Sequence, residues 1–274
     1  MKGPGLFSDI GKKAKDLLNK DYSYDQKLTI STFSSTGVGL TSAAVKKGGL
    51  YTLDIGTQYK YKNTHIDVKL DTDSNVSTTL TISEVLPYTK TIASLKFPDY
   101  KSGKLELQYF HDHASLATAV GLKASPVVDL SGTVGVHGVA FGAEAGYDTA
   151  SGNFTKYSAG IGLSKPEYNI SVVLGDKGDS LRASYVYLFD DEQKTSVVAE
   201  VTRRFSTNDN TFTVGGSYAV DPLTTVKARL NNSGKLAALI DTRAKSILAT
   251  ISGEFDTKAL DKPPKFGLAL ALKP

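Results

Sequence analysis

The amino-acid sequence predicts an all-β transmembrane barrel of about nineteen strands with one amphipathic helix at its N-terminus. Three observations support this prediction. Apolar and polar residues alternate along most of the chain, turn signals recur at even intervals, and one segment alone has helical periodicity. Because side chains repeat every two residues in a strand and every 3.6 in a helix, the two patterns can be separated.

The helical pattern lies in GLFSDIGKKAKDLL, residues 5–18. Phe7, Ile10, Ala14, Leu17 and Leu18 share one face of a helix, and the lysines lie elsewhere on it. Residue 8 or 9, a serine or an aspartate, is placed to cap the helix. We therefore expect an amphipathic helix over residues 5–18.

From residue 25 onward the period is two. In HIDVKLD, Ile66 and Val68 alternate with Asp67 and Lys69. The same alternation occurs in KLELQY (104–109), SLRASYVY (180–187), VVAEVTRRF (197–205), TVKARL (225–230) and ILATISGEF (247–255). Turn signals such as KKGG, DKGD and NNSG recur roughly every 13 residues, which fits a membrane strand of about 9–11 residues and a short hairpin.

Two architectures have this pattern, a soluble stacked sheet and a closed membrane barrel. The polar faces carry charges in mid-strand: Asp67, Lys69, Lys96, Glu106, Arg182, Glu200, Lys227, Arg229 and Glu254. Repeated over most strands, such charges favour a barrel with lipid outside and water inside. Tyrosines near strand ends suit an interfacial girdle, although they are also common in soluble sheets.

A barrel of this size cannot be filled by its own side chains. The helix can therefore lay its apolar face against the inner wall, so that Lys12, Lys15 and Lys20 face the lumen. A helix lying on the membrane surface is the alternative. We divide the chain into residues 1–24, the helix and linker within the pore, and residues 25–274, the barrel.

Composition argues against other classes. The chain lacks cysteine, which excludes disulfide scaffolds and thiolate zinc sites. His111 and His113 share a strand face but have no visible third ligand, so we expect no metal. The glycine-containing segments KSGK, NNSGK and GDKGDS lack P-loop spacing and are expected to be hairpin turns. With no catalytic triad or carboxylate pair, the sequence predicts neither an enzyme nor a cofactor.

Charge and hydropathy bear on location. The net charge of +4 is small for a nucleic-acid binder, and no such partner is expected. No apolar run reaches the length of a transmembrane helix, and no secretory signal is recognisable. Asp9 and Asp16 fit poorly with a cleaved mitochondrial presequence, which is normally poor in acidic residues.

The segment YAVDPLTTVKARLNNSGKLAALI, residues 218–240, closely resembles the signature of the voltage-dependent anion channels, the mitochondrial porins of eukaryotes. GLFSDIGKKAKDLLNKDY is similar to their N-terminal segment, and PDYKSGKLELQYFHDHA to one of their hairpins. The C-terminal KFGLALALKP resembles the mitochondrial β-signal. The resemblance covers essentially the whole chain and is greatest with the plant-type members.

This resemblance implies nineteen strands, with a parallel closure between residues 26–33 and 265–273 and the helix inside the pore. It implies a voltage-gated, weakly anion-selective pore of the mitochondrial outer membrane that passes inorganic anions, ATP, ADP and small metabolites, with homo-oligomers as an option. Lys12, Lys15, Asp16 and Lys20 would form the constriction. Two features depart from the animal members: DYSYDQ, residues 21–26, has no glycine, and Val68 stands where they carry a lipid-facing glutamate.

We expect an electrostatic mechanism in which lumen cations concentrate anions without binding them tightly. The expected cations are Lys12, Lys15, Lys20, Lys69, Lys96, Arg182, Lys227 and Arg229. Inward acids (Asp67, Glu106, Glu200 and Glu254) should keep the selectivity modest. The rival functions are a protein-import pore of the same barrel type, which would favour an acidic lumen, and a soluble β-rich binding protein.

Overall fold

The computed structural model describes residues 3–189, 195–259 and 261–273, and these residues form nineteen β-strands in a single sheet. The strands are β1 Gln26–Phe33, β2 Val38–Lys47, β3 Leu50–Tyr61, β4 Thr64–Leu70, β5 Val76–Ser83, β6 Thr89–Phe97, β7 Lys104–Phe110, β8 Ala114–Gly121, β9 Val127–Val136, β10 Val139–Asp148, β11 Asn153–Ser164, β12 Tyr168–Gly175, β13 Ser180–Leu188, β14 Ser196–Arg204, β15 Asp209–Asp221, β16 Thr224–Asn231, β17 Lys235–Ala244, β18 Ile247–Asp256 and β19 Lys265–Leu272.

The sheet closes on itself through one parallel seam. Each strand pairs antiparallel with the next, and β1 pairs parallel with β19, from Gln26 opposite Leu268 to Ile30 opposite Leu272. An odd number of strands in an otherwise antiparallel barrel requires one parallel pair. Closure leaves no sheet edge, so the ladder of backbone hydrogen bonds continues around the barrel. The predicted strand number and the predicted seam are both confirmed.

The outer wall is apolar and the inner wall is polar. Leu53, Ile55 and Val134 are more than half exposed, whereas Asp54 and Lys69 alternate with their apolar neighbours and meet in an ion pair on the opposite face. A soluble sheet would bury these leucines and isoleucines in a dry core. Their place on the outside of a closed barrel fits contact with lipid and argues against the soluble alternative. Among the residues described, no helix is long and apolar enough to cross a membrane.

The N-terminal segment differs from the expected continuous helix. Phe7–Asp9 form a single 3-10 turn, Gly11 adopts a left-handed conformation with φ of 77°, and helix α1 spans only Lys12–Asn19. A Cβ at Gly11 would lie 2.9 Å from Ser171 Oγ, so close packing against the wall accompanies the break. The predicted cap was also wrong, because the N-cap of α1 is Gly11, with no side-chain cap, and the Asp9 carboxylate instead accepts a hydrogen bond from the Leu6 amide.

Helix α1 lies inside the barrel with its apolar face on the wall. Ala14 and Leu18 are buried against Val186, Leu188 and Val198, which project inward from β13 and β14. This cluster supplies most of the buried apolar residues among those described. The hydrophobic effect acts here as in a soluble protein, because the alternative for this face is the aqueous lumen. The predicted position inside the pore is confirmed, and the membrane-surface alternative is wrong.

Candidate functional site

The cations predicted on the barrel wall all belong to the inward-facing set of their strands, but several are already paired. Lys69 Nζ lies 2.9 Å from Asp54 Oδ2, and Arg182 Nε lies 3.9 Å from Glu200 Oε1. A cation beside a carboxylate contributes less to the local potential than a free one. Lys96, by contrast, has no ion-pair partner in the described part of the chain. The wall therefore carries a mixed charge pattern in which several cations face a carboxylate.

The lysines of the N-terminal segment form the other part of the lumen surface. Lys12 Nζ lies 3.3 Å from Asp9 Oδ1, and both side chains are largely exposed. Lys15 and Lys20 are also exposed, and neither ammonium group has an ion-pair partner among residues 3–189, 195–259 and 261–273. Asp16 is half-buried on the same helix. Helix α1 is docked on the wall by Ala14 and Leu18, and the exposed lysines lie on the rest of its surface.

The strongest cluster of polar contacts surrounds Arg229. Its Nη1 donates hydrogen bonds to the Leu18 carbonyl oxygen at 2.5 Å and to Asn19 Oδ1 at 2.9 Å. Its Nη2 lies 3.3 Å from Tyr24 Oη and 3.6 Å from Glu254 Oε2. A planar guanidinium with five donors can satisfy such a divergent set, and an ammonium group cannot.

The linker between α1 and β1 is fixed by further contacts. The guanidinium carbon of Arg229 lies 4.6 Å from the centroid of the Tyr22 ring, a cation–π distance. Lys227 Nζ binds Asp21 Oδ2 at 3.1 Å, and Tyr24 Oη donates to Glu254 at 2.8 Å. A short hydrogen bond also joins the Ser252 hydroxyl to the carbonyl oxygen of residue 23.

Burial explains the acid–base properties of the two linker tyrosines. It raises the pKa of Tyr22 to about 12 against the opposing charge of Arg229. Burial, together with the hydrogen bond to Glu254, also raises the pKa of Tyr24. Both rings are therefore neutral at physiological pH. The two neutral phenols of the linker contact the guanidinium of Arg229, which projects from β16.

The sequence analysis did not identify several residues that make contacts inside the barrel. Lys156 Nζ lies 3.4 Å from Asp129 and 3.2 Å from Glu144, which makes a three-member charge cluster on β9 to β11. Strand alternation could have placed these three residues inward. No sequence signal indicated Tyr22, because its role depends on the approach of Arg229 from about 200 residues along the chain.

Among residues 3–189, 195–259 and 261–273, the structure brings no metal-ligating set together. The His111 and His113 rings are 6.1 Å apart, and among the described residues no three histidine, aspartate or glutamate side chains are grouped as metal ligands. The segments KSGK, NNSGK and GDKGDS lie in the connections between consecutive antiparallel strands, as predicted. What the lumen offers chemically is the inside of a closed barrel lined by charged side chains.

Comparison with known proteins agrees with this geometry. The model of the eukaryotic porin family matches residues 3–267. The chain is 71% identical over 276 residues to mitochondrial outer membrane protein porin 5 of Oryza sativa subsp. japonica, covering all of this chain and 99% of the relative. It is 60% identical to mitochondrial outer membrane protein porin 2 of Arabidopsis thaliana, with the same coverage.

A third relative is the outer plastidial membrane protein porin of Pisum sativum, 51% identical with both chains fully covered. Proteins of this family are channels, not enzymes, and the closed barrel described above has the form of a diffusion pore. The chain belongs to the eukaryotic porin family.

Proposed function

We propose that this porin is a voltage-gated, weakly anion-selective diffusion pore of the mitochondrial outer membrane. The observation that carries the proposal is the closed barrel with a charged inner wall, an apolar outer wall and a lysine-bearing helix docked in the lumen. The names of the relatives with 71% and 60% identity support the location. The plastidial name of the pea relative makes organelle fractionation of the native protein a useful check.

The proposed selectivity is electrostatic. Lys15 and Lys20 on the helix side and Lys96 on the wall are free of ion pairs within the described residues, so they dominate the excess positive potential. Lys12 and Asp16 modulate it at the constriction, and Lys69 and Arg182 contribute less because carboxylates neutralise them. A low-dielectric wall concentrates the field of these charges and raises the local anion concentration. Their distribution around a wide passage favours entry without tight binding, which conduction requires.

The same potential suits phosphorylated permeants. ATP and ADP carry several negative charges and are attracted by the exposed ammonium groups of the helix. The inward acids Asp67, Glu106, Glu200 and Glu254 oppose this attraction, so the preference for anions stays weak. Membrane lipids are the proposed partners of the outer wall. Self-association is a further proposal, to be measured by cross-linking in liposomes.

The decisive experiment is conductance of the refolded protein in a planar bilayer under a salt gradient. We expect large steps, a reversal potential on the anion side, and partial closure at higher voltage of either sign. ATP added on one side should carry current in the absence of other permeant anions. A cation-side reversal potential, with block by a basic presequence peptide, would instead indicate a protein-import pore. Failure to insert into the bilayer would contradict the pore function.

A further inference from the structure

We propose that Arg229 is the positioning residue of the pore constriction, and that with Tyr22 and Tyr24 it turns the glycine-free linker into a fixed strap. This proposal rests on the pore function above and deepens it. It concerns which residue holds α1 in place, which none of the comparisons assigns.

The contacts of Arg229 converge on the end of the helix. The last turn of α1 leaves main-chain carbonyl groups without partners in the helix, and the carbonyl of Leu18 is one of them. Arg229 Nη1 donates a hydrogen bond to this carbonyl oxygen at 2.5 Å and another to Asn19 Oδ1 at 2.9 Å. A cation at a helix C-terminus also interacts favourably with the helix dipole. Arg229 therefore fixes the end of α1 to β16 through both hydrogen bonding and charge.

The linker contacts extend this attachment to the beginning of the barrel. Tyr22 stacks on the guanidinium, and Tyr24 bonds both to Arg229 and to Glu254 of β18. Lys265 Nζ of β19 lies 5.7 Å from the centroid of the Tyr24 ring and 3.4 Å from Glu254 Oε1. The chain thus has attachment points on three strands before β1 begins at Gln26. A segment held in this way lacks the freedom of a glycine hinge.

The surroundings of Arg229 argue against a role mainly in ion selectivity. Its side chain is only 23% exposed, and its guanidinium faces the Leu18 carbonyl, a tyrosine ring and a carboxylate. A charge so surrounded acts on its neighbours more than on ions in the lumen. Lys227 supports the same attachment through Asp21. Both residues therefore belong to the strap, whereas the lysines of α1 belong to the permeation surface.

The test exploits the absence of cysteine from the chain. Cysteines introduced at Lys15 on α1 and at Lys123 in the β8–β9 turn carry two spin labels, and their distance distribution reports the position of the helix. The variant Arg229→Lys keeps the charge but removes the planar fork. The matched control is Arg182→Lys. Arg182 is an inward arginine of β13 that pairs with Glu200.

We expect R229K to broaden the distance distribution and to raise open-channel current noise several-fold, with discrete substates. R182K should keep the distance distribution of the parent protein. Tyr22→Leu should reproduce the R229K effect, and the double variant should add little, because both residues act in one contact set. Thermal unfolding measured in parallel separates loss of the barrel from release of the helix. Should R229K fail to fold, Y22L with the same labels provides the same test.

Equal distance distributions in R229K, Y22L and R182K would overturn the proposal, as would a change confined to the reversal potential. That second outcome would make Arg229 a selectivity residue. In both cases the parent channel would still conduct with anion preference, so the proposed function would stand. A parent protein that does not conduct, or that conducts with a preference for cations, would contradict the function itself.

Discussion

Leu18 of α1 lies directly over Gly215 of β15. A Cβ added at Gly215 would be 2.9 Å from Leu18 Cδ2 and 2.7 Å from the carbonyl oxygen of Ala228. The missing side chain is therefore what allows the helix to reach the wall at this point, where Leu18 is 2% exposed. The docking of the helix depends on small residues of the inner wall as much as on its own apolar face.

The first prediction follows from this contact. Gly215→Ala should displace α1, because one of the two close atoms is backbone and cannot yield. The cost should be on the order of 1–3 kcal/mol of helix docking, as in other overpacked contacts. Trypsin cleavage after Lys20 should become faster. Gly56→Ala is the control. Gly56 lies on the inner face of β3, away from the helix, and a Cβ added there would have no atom closer than 3.7 Å. Equal cleavage of the two variants would contradict the prediction.

The second prediction concerns the free lysines. Neutralising Lys15 and Lys20 together to glutamine should shift the reversal potential in a salt gradient toward cations. The control variant, with Lys47 and Lys62 changed to glutamine, loses the same net charge near the two rims of the barrel. Salt screens charges beyond about 10 Å at 0.1 M, so the rim variant should shift the reversal potential less. Equal shifts would show that the location of these charges is unimportant.

The third prediction concerns the outer wall at Val68, which pairs with Thr57 and Thr78 on the lipid side. Val68→Glu should destabilise the barrel by about 1–3 kcal/mol, because a carboxylate in contact with lipid is costly, although less so than a basic group. Urea unfolding in liposomes measures this change.

The control for Val68 adds the same charge to the inner face. Ser77 stands between Lys69 and Lys96 across the two neighbouring strands. Ser77→Glu should leave stability unchanged or increase it slightly through new ion pairs. If both glutamates destabilise the barrel equally, the assignment of the two faces at this strand is wrong.

The fourth prediction is the pH dependence of the linker. Burial raises the pKa of Tyr22 to about 12, whereas an unfolded tyrosine titrates near 10. A raised pKa stabilises the folded state through the neutral phenol. This contribution is complete below about pH 10 and is lost as the pH rises toward about 12.

Tyrosinate absorbance during an alkaline titration tests this pH dependence. The absorbance curve should contain a late component from Tyr22, and Tyr22→Phe should remove that component. The phenylalanine variant should keep the helix docked, because the ring of Tyr22 makes the contact with Arg229. The Tyr22 hydroxyl is buried and has no hydrogen-bond partner among the described residues. A high-pH part of the curve that is the same in the parent protein and in Tyr22→Phe would contradict the prediction.

The sequence predicted the two faces of the barrel wall better than it predicted the bounds of the helix inside the barrel. Alternation placed Val68 outward and Lys69 inward because each strand residue has only two possible directions, and the lipid and the water select between them. The helix was identified by its apolar face, but its start was wrong by seven residues. The break falls at Gly11, where the backbone lies close to Ser171, and no local pattern contains that contact.

By itself, the sequence determined the strand count, the two faces of the wall and the presence of one amphipathic segment, because these follow from local periodicity and from the solvents on either side. Only the tertiary structure decided which lumen cations are free and which are used internally. Arg229 and Lys227 have the same alternation signal as Lys69, yet they hold a linker that lies about 200 residues earlier in the chain. Strand periodicity specifies on which face of the wall a side chain lies. Which residue it then contacts depends on the closed barrel, which brings the end of α1 to β16.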